Sequence, residues 1–224
     1  MGVELPAPPN WRDFDDEALP PLLRSAVETF VTHGYHGTTT RTLAAAAGIS
    51  VPGLYHHFPS KQAIIVAIMD YAMDDLWRRS LRAQAEAGND VGQQLDLHIE
   101  CLALFHAHRK DLAFLAATEL RSLDAVPRAR HIAARDRQEG LLVEILRDGD
   151  AQRYFHTGDP RQVARALITM NTGISQWFDA NGLLSASAIA EDYVSYAQRI
   201  VCTTPHNTEI QGLEAPRGVN SVSP

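Results

Sequence analysis

Arg41 and Lys61, with Thr40, Ser50, Tyr55 and His56 between or beside them, are side chains that can bond phosphate oxygens and base edges. Their surroundings favour that chemistry. Residues 29–69 contain no Asp or Glu, in a chain that carries 27 acids against 20 Lys and Arg. The same window holds His33, His36, His56 and His57. A net charge of −7 argues against indiscriminate polyanion binding, so affinity for nucleic acid is expected to be concentrated in this window. Other chemistries find little support. His98, His106 and His108 invite a metal reading, but positions 106 and 108 fall on different faces of a helix, and no carboxylate or thiolate has ligand-like spacing. Nothing resembles a nucleophile elbow, a Gly-rich phosphate loop or a paired-carboxylate site. Ser175, within Gly173-Ile174-Ser175, reads as a small residue at a close helix crossing. The expectation is a protein that is not an enzyme and uses no cofactor or metal.

Three short helices must position the window's side chains. Leu43-Ala44-Ala45-Ala46-Ala47 is a strong helix former with no β-branched residue. Gly48 suits the left-handed position that ends a helix. Ile49 packs inward, and Ser50 caps the next helix, with Pro52 in its first turn. That helix runs through Gly53-Leu54-Tyr55-His56-His57 and ends at Phe58-Pro59, because the residue before Pro is pushed out of the helical region. Ser60 caps a further helix opening at Lys61. Two short helices joined by a turn of about four residues containing Gly have the signature of a DNA-binding helix-turn-helix. Its geometry places Val51, Pro52 and Gly53 against base edges, with Tyr55 and His56 one turn on. Val51 and Pro52 suit thymine methyl groups, and Gly53 allows close backbone approach. Thr40, Arg41 and Lys61 suit phosphates. The bland alternative makes Tyr55, His56 and His57 cover for the small core, and Lys61 a solvated helix-end charge.

The rest of the chain reads as helix after helix, an all-α fold. Residues 1–19 are Pro-rich and acidic and are expected to be a disordered arm. Pro20-Pro21 opens a helix to about Thr32. A DNA-binding domain over 20–66 gives way to a ligand-binding and dimerisation domain over 67–203. Within it, helices are expected from Lys61 to about Ala85, over 91–107 and 111–121, from Pro127 to about Arg147, over 160–179, and from Ser185 or Ser187 to about Cys202. Residues 204–224 are expected to be a disordered tail. No apolar run approaches the roughly 18 residues of a membrane span. No basic-then-apolar secretory segment opens the chain, and Cys101 and Cys202 suggest no disulfide framework. The reading is cytoplasmic, with no membrane partner.

The string Thr38-Thr39-Thr40-Arg41-Thr42-Leu43-Ala44-Ala45-Ala46-Ala47-Gly48-Ile49-Ser50, followed by Leu54-Tyr55-His56-His57-Phe58-Pro59-Ser60-Lys61, resembles the TetR-type transcriptional regulators. The match reaches back through Ala26, Phe30, Gly34 and Tyr35. The resemblance implies a dimeric, all-helical repressor with an N-terminal helix-turn-helix domain and a larger C-terminal ligand domain. One departure is Val51-Pro52, where the family often carries Lys or Arg with small residues. It shifts base contact towards apolar and aromatic groups.

A second string runs through Ala151-Gln152-Arg153-Tyr154-Phe155, Asp159, Asn171 to Phe178, Gly182 to Ser185, Ile189-Ala190 and Tyr193. It resembles a TetR-type subgroup that regulates sterol and fatty-acid catabolism and responds to acyl-CoA thioesters. That resemblance implies a small hydrophobic effector of the same class. Phe105, Leu112, Phe114, Leu115, Met170 and Trp177 suit an acyl tunnel, with Gly173 beside them. Arg109, Lys110, Arg121, Arg128, Arg130 and Arg135 suit the CoA phosphates at its mouth. The plain alternative is that the apolar residues are core and the arginines solvated faces. A rival effector is a hydrophobic drug or cation, with an efflux gene as target. An acid inside the pocket would favour it, and Glu119 is the obvious candidate. An activator role also stays open. Because one recognition helix covers few base pairs, a homodimer on a palindromic operator is expected, joined through 160–179 and 187–202.

Overall fold

The computed structural model describes residues 10–14 and 19–201, and every regular element among them is helical. α1 (Pro21–Gly37), α2 (Thr40–Ala46) and α3 (Val51–His57) form the small N-terminal unit. α4 (Lys61–Ala87), α5 (Val91–His108), α6 (Lys110–Thr118), α7 (Ala125–Ala151), α8 (Pro160–Trp177) and α9 (Ala186–Val201) form the larger one, with a 3-10 turn over Glu119–Ser122. None of these helices is long and apolar enough to cross a membrane.

Caps explain most of the helix starts. Thr39, Ser50, Ser60, Asp90 and Asp159 each accept a backbone N–H from the first turn of α2, α3, α4, α5 and α8. Ser185, rather than Ser187, caps α9, with its Oγ accepting from Ala188 N at 3.1 Å. The ends differ more from expectation. α1 runs past Thr32 to Gly37, with a break at Gly34, whose φ is 69°. α7 does not stop before Asp148-Gly149-Asp150 but continues to Ala151. Gly149 there serves packing. A Cβ at that position would lie 1.9 Å from Cδ2 of Phe155, so only Gly admits the ring.

α5 is the central post. Residues 101–107 are all buried, enclosed by α4, α8 and α9. One apolar core runs without a break from Phe30, Leu43 and Leu54 of the small unit into Ile64, Leu102 and Leu146 of the large one. A second cluster joins Trp11 to Leu104, Ile174, Phe178 and Ile189.

Trp11 corrects the expectation of a disordered arm for residues 10–14. Its indole is 3% exposed. Arg79, fully buried on α4, donates to the carbonyls of Trp11 (2.8 Å) and Asp13 (2.6 Å), and to Asp75 Oδ1 at 3.1 Å. The Phe14 ring lies 3.9 Å from the Arg79 guanidinium and stacks on His108. Arg12 bridges Glu86 (2.8 Å) and Glu100 (2.6 Å). A buried guanidinium needs acceptors on its several N–H groups, and the segment's own backbone supplies them. The acidic, Pro-rich composition concealed two aromatic anchors. The rest of the expected arm (1–9 and 15–18), Cys202 and the expected tail lie outside the described residues.

Candidate DNA-binding surface and effector cavity

The turn between α2 and α3 is closed by its glycine. Gly48 adopts φ 68°, and Ile49 N–H bonds Ala44 O at 3.0 Å, the six-to-one bond of a glycine-terminated helix. Of α3, only Leu54 is buried. Pro52, Tyr55 and His56 stand on the opposite, exposed face at helical spacing, with the capping Ser50 exposed beside them. Tyr55 is 48% exposed, more than a core-covering ring requires. Arg41 is also exposed, while Thr40 and Gly53 are half-buried. Two sequence candidates fare differently. Val51 is half-buried and packs on the core. The Lys61 ammonium donates to the carbonyls of Tyr35 (2.7 Å) and Thr38 (2.8 Å) and lies 4.2 Å from the centre of the Tyr35 ring. Burial also lowers its pKa. Lys61 thus ties the end of α1 to the start of α4, with two of its three ammonium donors engaged.

A cavity of about 310 Å³ lies within the larger unit, walled by α4, α5, α6, α7 and α8. Met73, Leu76, Phe105 and Ile168 give it an apolar interior. His106, His131 and Gln138 add buried polar groups, and Arg135, Asp136 and Glu139 bring charge to the α7 side. Burial pushes the His106 imidazole down to about 4 and lowers that of His131 as well, so both are neutral at pH 7.

A family model described as "Bacterial regulatory proteins, tetR family" matches residues 22–68, and one described as "Tetracyclin repressor-like, C-terminal domain" matches 88–201. The chain belongs to the TetR family. It is therefore a helix-turn-helix transcriptional regulator and not an enzyme. The HTH-type transcriptional repressor KstR2 of Mycolicibacterium smegmatis is 28% identical over 178 residues, which cover 78% of this chain and 85% of KstR2. The crystal structure of the TetR family regulator PfmR from Thermus thermophilus is 30% identical, with TM-score 0.74, over 80% of this chain and 97% of that one. The crystal structure of AibR in complex with isovaleryl coenzyme A and operator DNA is 25% identical, with TM-score 0.71, over 78% and 95% of the two chains.

Within this TetR regulator, the sequence-based ligand candidates scatter. Phe105 lines the cavity, and Phe114, Met170, Gly173 and Trp177 do not. Phe114 and Met170 are half-buried against the core, and Trp177 is 52% exposed beyond the end of the cavity wall. The expected basic cluster disperses too. Arg109 lies 3.6 Å from Asp75, Lys110 donates to Phe178 O, Arg128 donates to Leu123 O, and Arg130 pairs with Asp70. Arg121 is exposed on the 3-10 turn, and only Arg135 of the group reaches the cavity. These residues sit at the α5–α6 junction, on the 3-10 turn and along α7. Glu119, the candidate acid of the rival drug-or-cation reading, accepts from Ser122 Oγ, and Asp136 and Glu139 stand at the cavity instead. The histidine and glutamine lining escapes a sequence reading because its spacing across α5 and α7 is legible only once the two helices are packed. Among the described residues no His, Cys, Asp and Glu cluster could hold a metal.

Proposed function

We propose that the chain is a homodimeric transcriptional repressor, acting in the cytoplasm, that binds a palindromic operator through Ser50, Pro52, Tyr55, His56 and Arg41. Its effector is an acyl-CoA thioester from lipid or sterol catabolism, whose acyl part enters the cavity. The observation that carries this reading is the shared α4. Its first turn holds α1 through Lys61, and its Met73 and Leu76 wall the cavity about 18 to 23 Å further along the same helix. α7 adds a second link, with Asp124 N–H donating to Gln62 Oε1 at 2.7 Å and His131 in the cavity wall. A ligand that favours one setting of α4 and α7 shifts the recognition helices relative to the half-sites, and operator DNA weakens ligand binding reciprocally. The similarity to KstR2 and to AibR, whose structure holds isovaleryl coenzyme A, supports the effector class.

Asp136 and Glu139 at the cavity favour a second reading, a drug-like hydrophobic cation with an efflux gene as target. Fluorescence-anisotropy titration on the chain's own upstream intergenic DNA separates the two. Tight binding reversed by a mixed acyl-CoA pool supports the first reading. Reversal by lipophilic cations alone supports the second, and absence of specific binding overturns both.

A further inference from the structure

The three buried polar side chains that line the cavity, His106, His131 and Gln138, each leave an acceptor atom over. His131 Nε2 lies 3.1 Å from Ala116 O, and His106 Nδ1 lies 2.7 Å from Leu102 O. A carbonyl only accepts, so each of these nitrogens carries the proton, and the other ring nitrogen is a bare acceptor. His131 Nδ1 is buried with no partner among the described residues. Gln138 donates through Nε2 to Ser80 Oγ at 2.6 Å, which leaves its buried Oε1 also without a partner. All three side chains are more than nine-tenths buried, and all three line the same apolar space. Two acceptors in this one cavity, His131 Nδ1 and Gln138 Oε1, are thus buried without a partner among the described residues, and they describe what the occupant must bring.

Resting on the reading of this cavity as the effector site, we infer that the effector's buried part carries hydrogen-bond donors, a hydroxyl or an ammonium, on an otherwise apolar body. Acceptor-only groups fit poorly. A ketone or thioester carbonyl placed beside these three groups meets lone pairs, and the donors that could answer it are Thr172 and the exposed Arg135. An amide brings a carbonyl with every N–H and meets the same difficulty. Hydroxyl and ammonium share the donor chemistry and differ in charge. Asp136 and Glu139 favour the ammonium, while Arg135 between His131 and Asp136 opposes it. Glu139 is in addition engaged by Arg165 at 3.3 Å.

The test uses small probes that can find their own pose, with the full-length protein in a calorimeter. Octan-1-ol and 1-methoxyheptane are isomers, equal in atoms and differing in the O–H donor. Octylammonium adds the charged arm. Wild type should bind octanol or octylammonium at least about tenfold more tightly than the ether, a gap of about 1.4 kcal/mol. Whichever of the two leads identifies the source of the donor. In His131→Phe the preference should shrink while ether affinity holds, since a merely structural role would weaken every probe alike. Gln138→Leu is the second variant should His131→Phe fail to fold. Ether binding equal to or tighter than both donors in wild type overturns the inference and leaves the cavity as the effector site. No binding by any probe also overturns it. If an acyl-CoA pool still releases the operator in that case, the repressor reading survives alone.

Discussion

At the scale of single residues, the two kinds of DNA contact should separate in solution. Tyr55 stands on the exposed face of α3 and Arg41 on that of α2. Tyr55→Ala is expected to lower operator affinity by about tenfold or more, with the oligomeric state unchanged, because it removes a recognition-helix contact. Normal operator binding by this variant in an anisotropy titration would sink the assignment of the recognition face. Arg41→Ala should instead weaken specific and non-specific DNA alike, and reduce the slope of log affinity against log salt by about one. An unchanged slope would remove Arg41 from the phosphate contacts. The capping serines and the Gly48 turn were legible in sequence because each acts on its own backbone within about three residues. The fate of Lys61 was not, since its carbonyl partners sit on a helix 23 to 26 residues earlier. Nor was the role of Val51, whose half-burial depends on how α3 lies on the core.

Among the elements, α5 carries an unusual load for a central helix. His98 is fully buried with neither ring nitrogen bonded among the described residues, and His106 is buried in the last turn. Burial pushes both imidazoles down to about 4. In the unfolded chain they titrate near 6.5. The neutral folded forms therefore add to stability fully above about pH 6.5, and that contribution is lost as pH falls from there through 4. Thermal melts should show Tm falling between pH 6.5 and 4. His98→Leu should flatten that fall, since the variant has one less buried imidazole to protonate. An equally steep fall in the variant would show that other groups control acid sensitivity. Helix existence across α4 to α9 was readable from apolar spacing and caps. The continuation of α7 through Gly149 was not, because it depends on the Phe155 ring folding back from a loop. The docked Trp11 segment was hidden for a similar reason. Its aromatic anchors are too few to form a periodic pattern, and their receptor, Arg79, lies 68 residues away.

The whole molecule presents an apolar band that the single chain leaves open. Trp177 is 52% and Tyr196 43% exposed, with Tyr193 hydrogen-bonded to Trp177 and its ring 5.9 Å from that of Tyr196. The band crosses from α8 to α9, the two helices from which a dimer interface was expected. Leu183 and Leu184, in the loop between the two helices, are exposed as well. Beside the band, nothing lies within 4 Å of the position a Cβ would take on Gly173, so a partner helix could approach that surface closely. Exposed aromatics of this size, linked across two helices, are costly in a monomer and typical of a contact between copies. A two-fold axis through the patch would set Tyr196 against the same region of its partner, so a charge placed there is met by its own copy. The double variant Trp177→Glu/Tyr196→Glu is therefore expected to sediment as a monomer while keeping its helical circular dichroism. With one recognition helix per particle, its operator affinity should fall at least about a hundredfold, towards the non-specific level, and a half-site should bind as well as the full palindrome. A variant that remains dimeric at micromolar concentration would place the interface elsewhere, and would separate the exposed band from the spacing of the two DNA-reading heads.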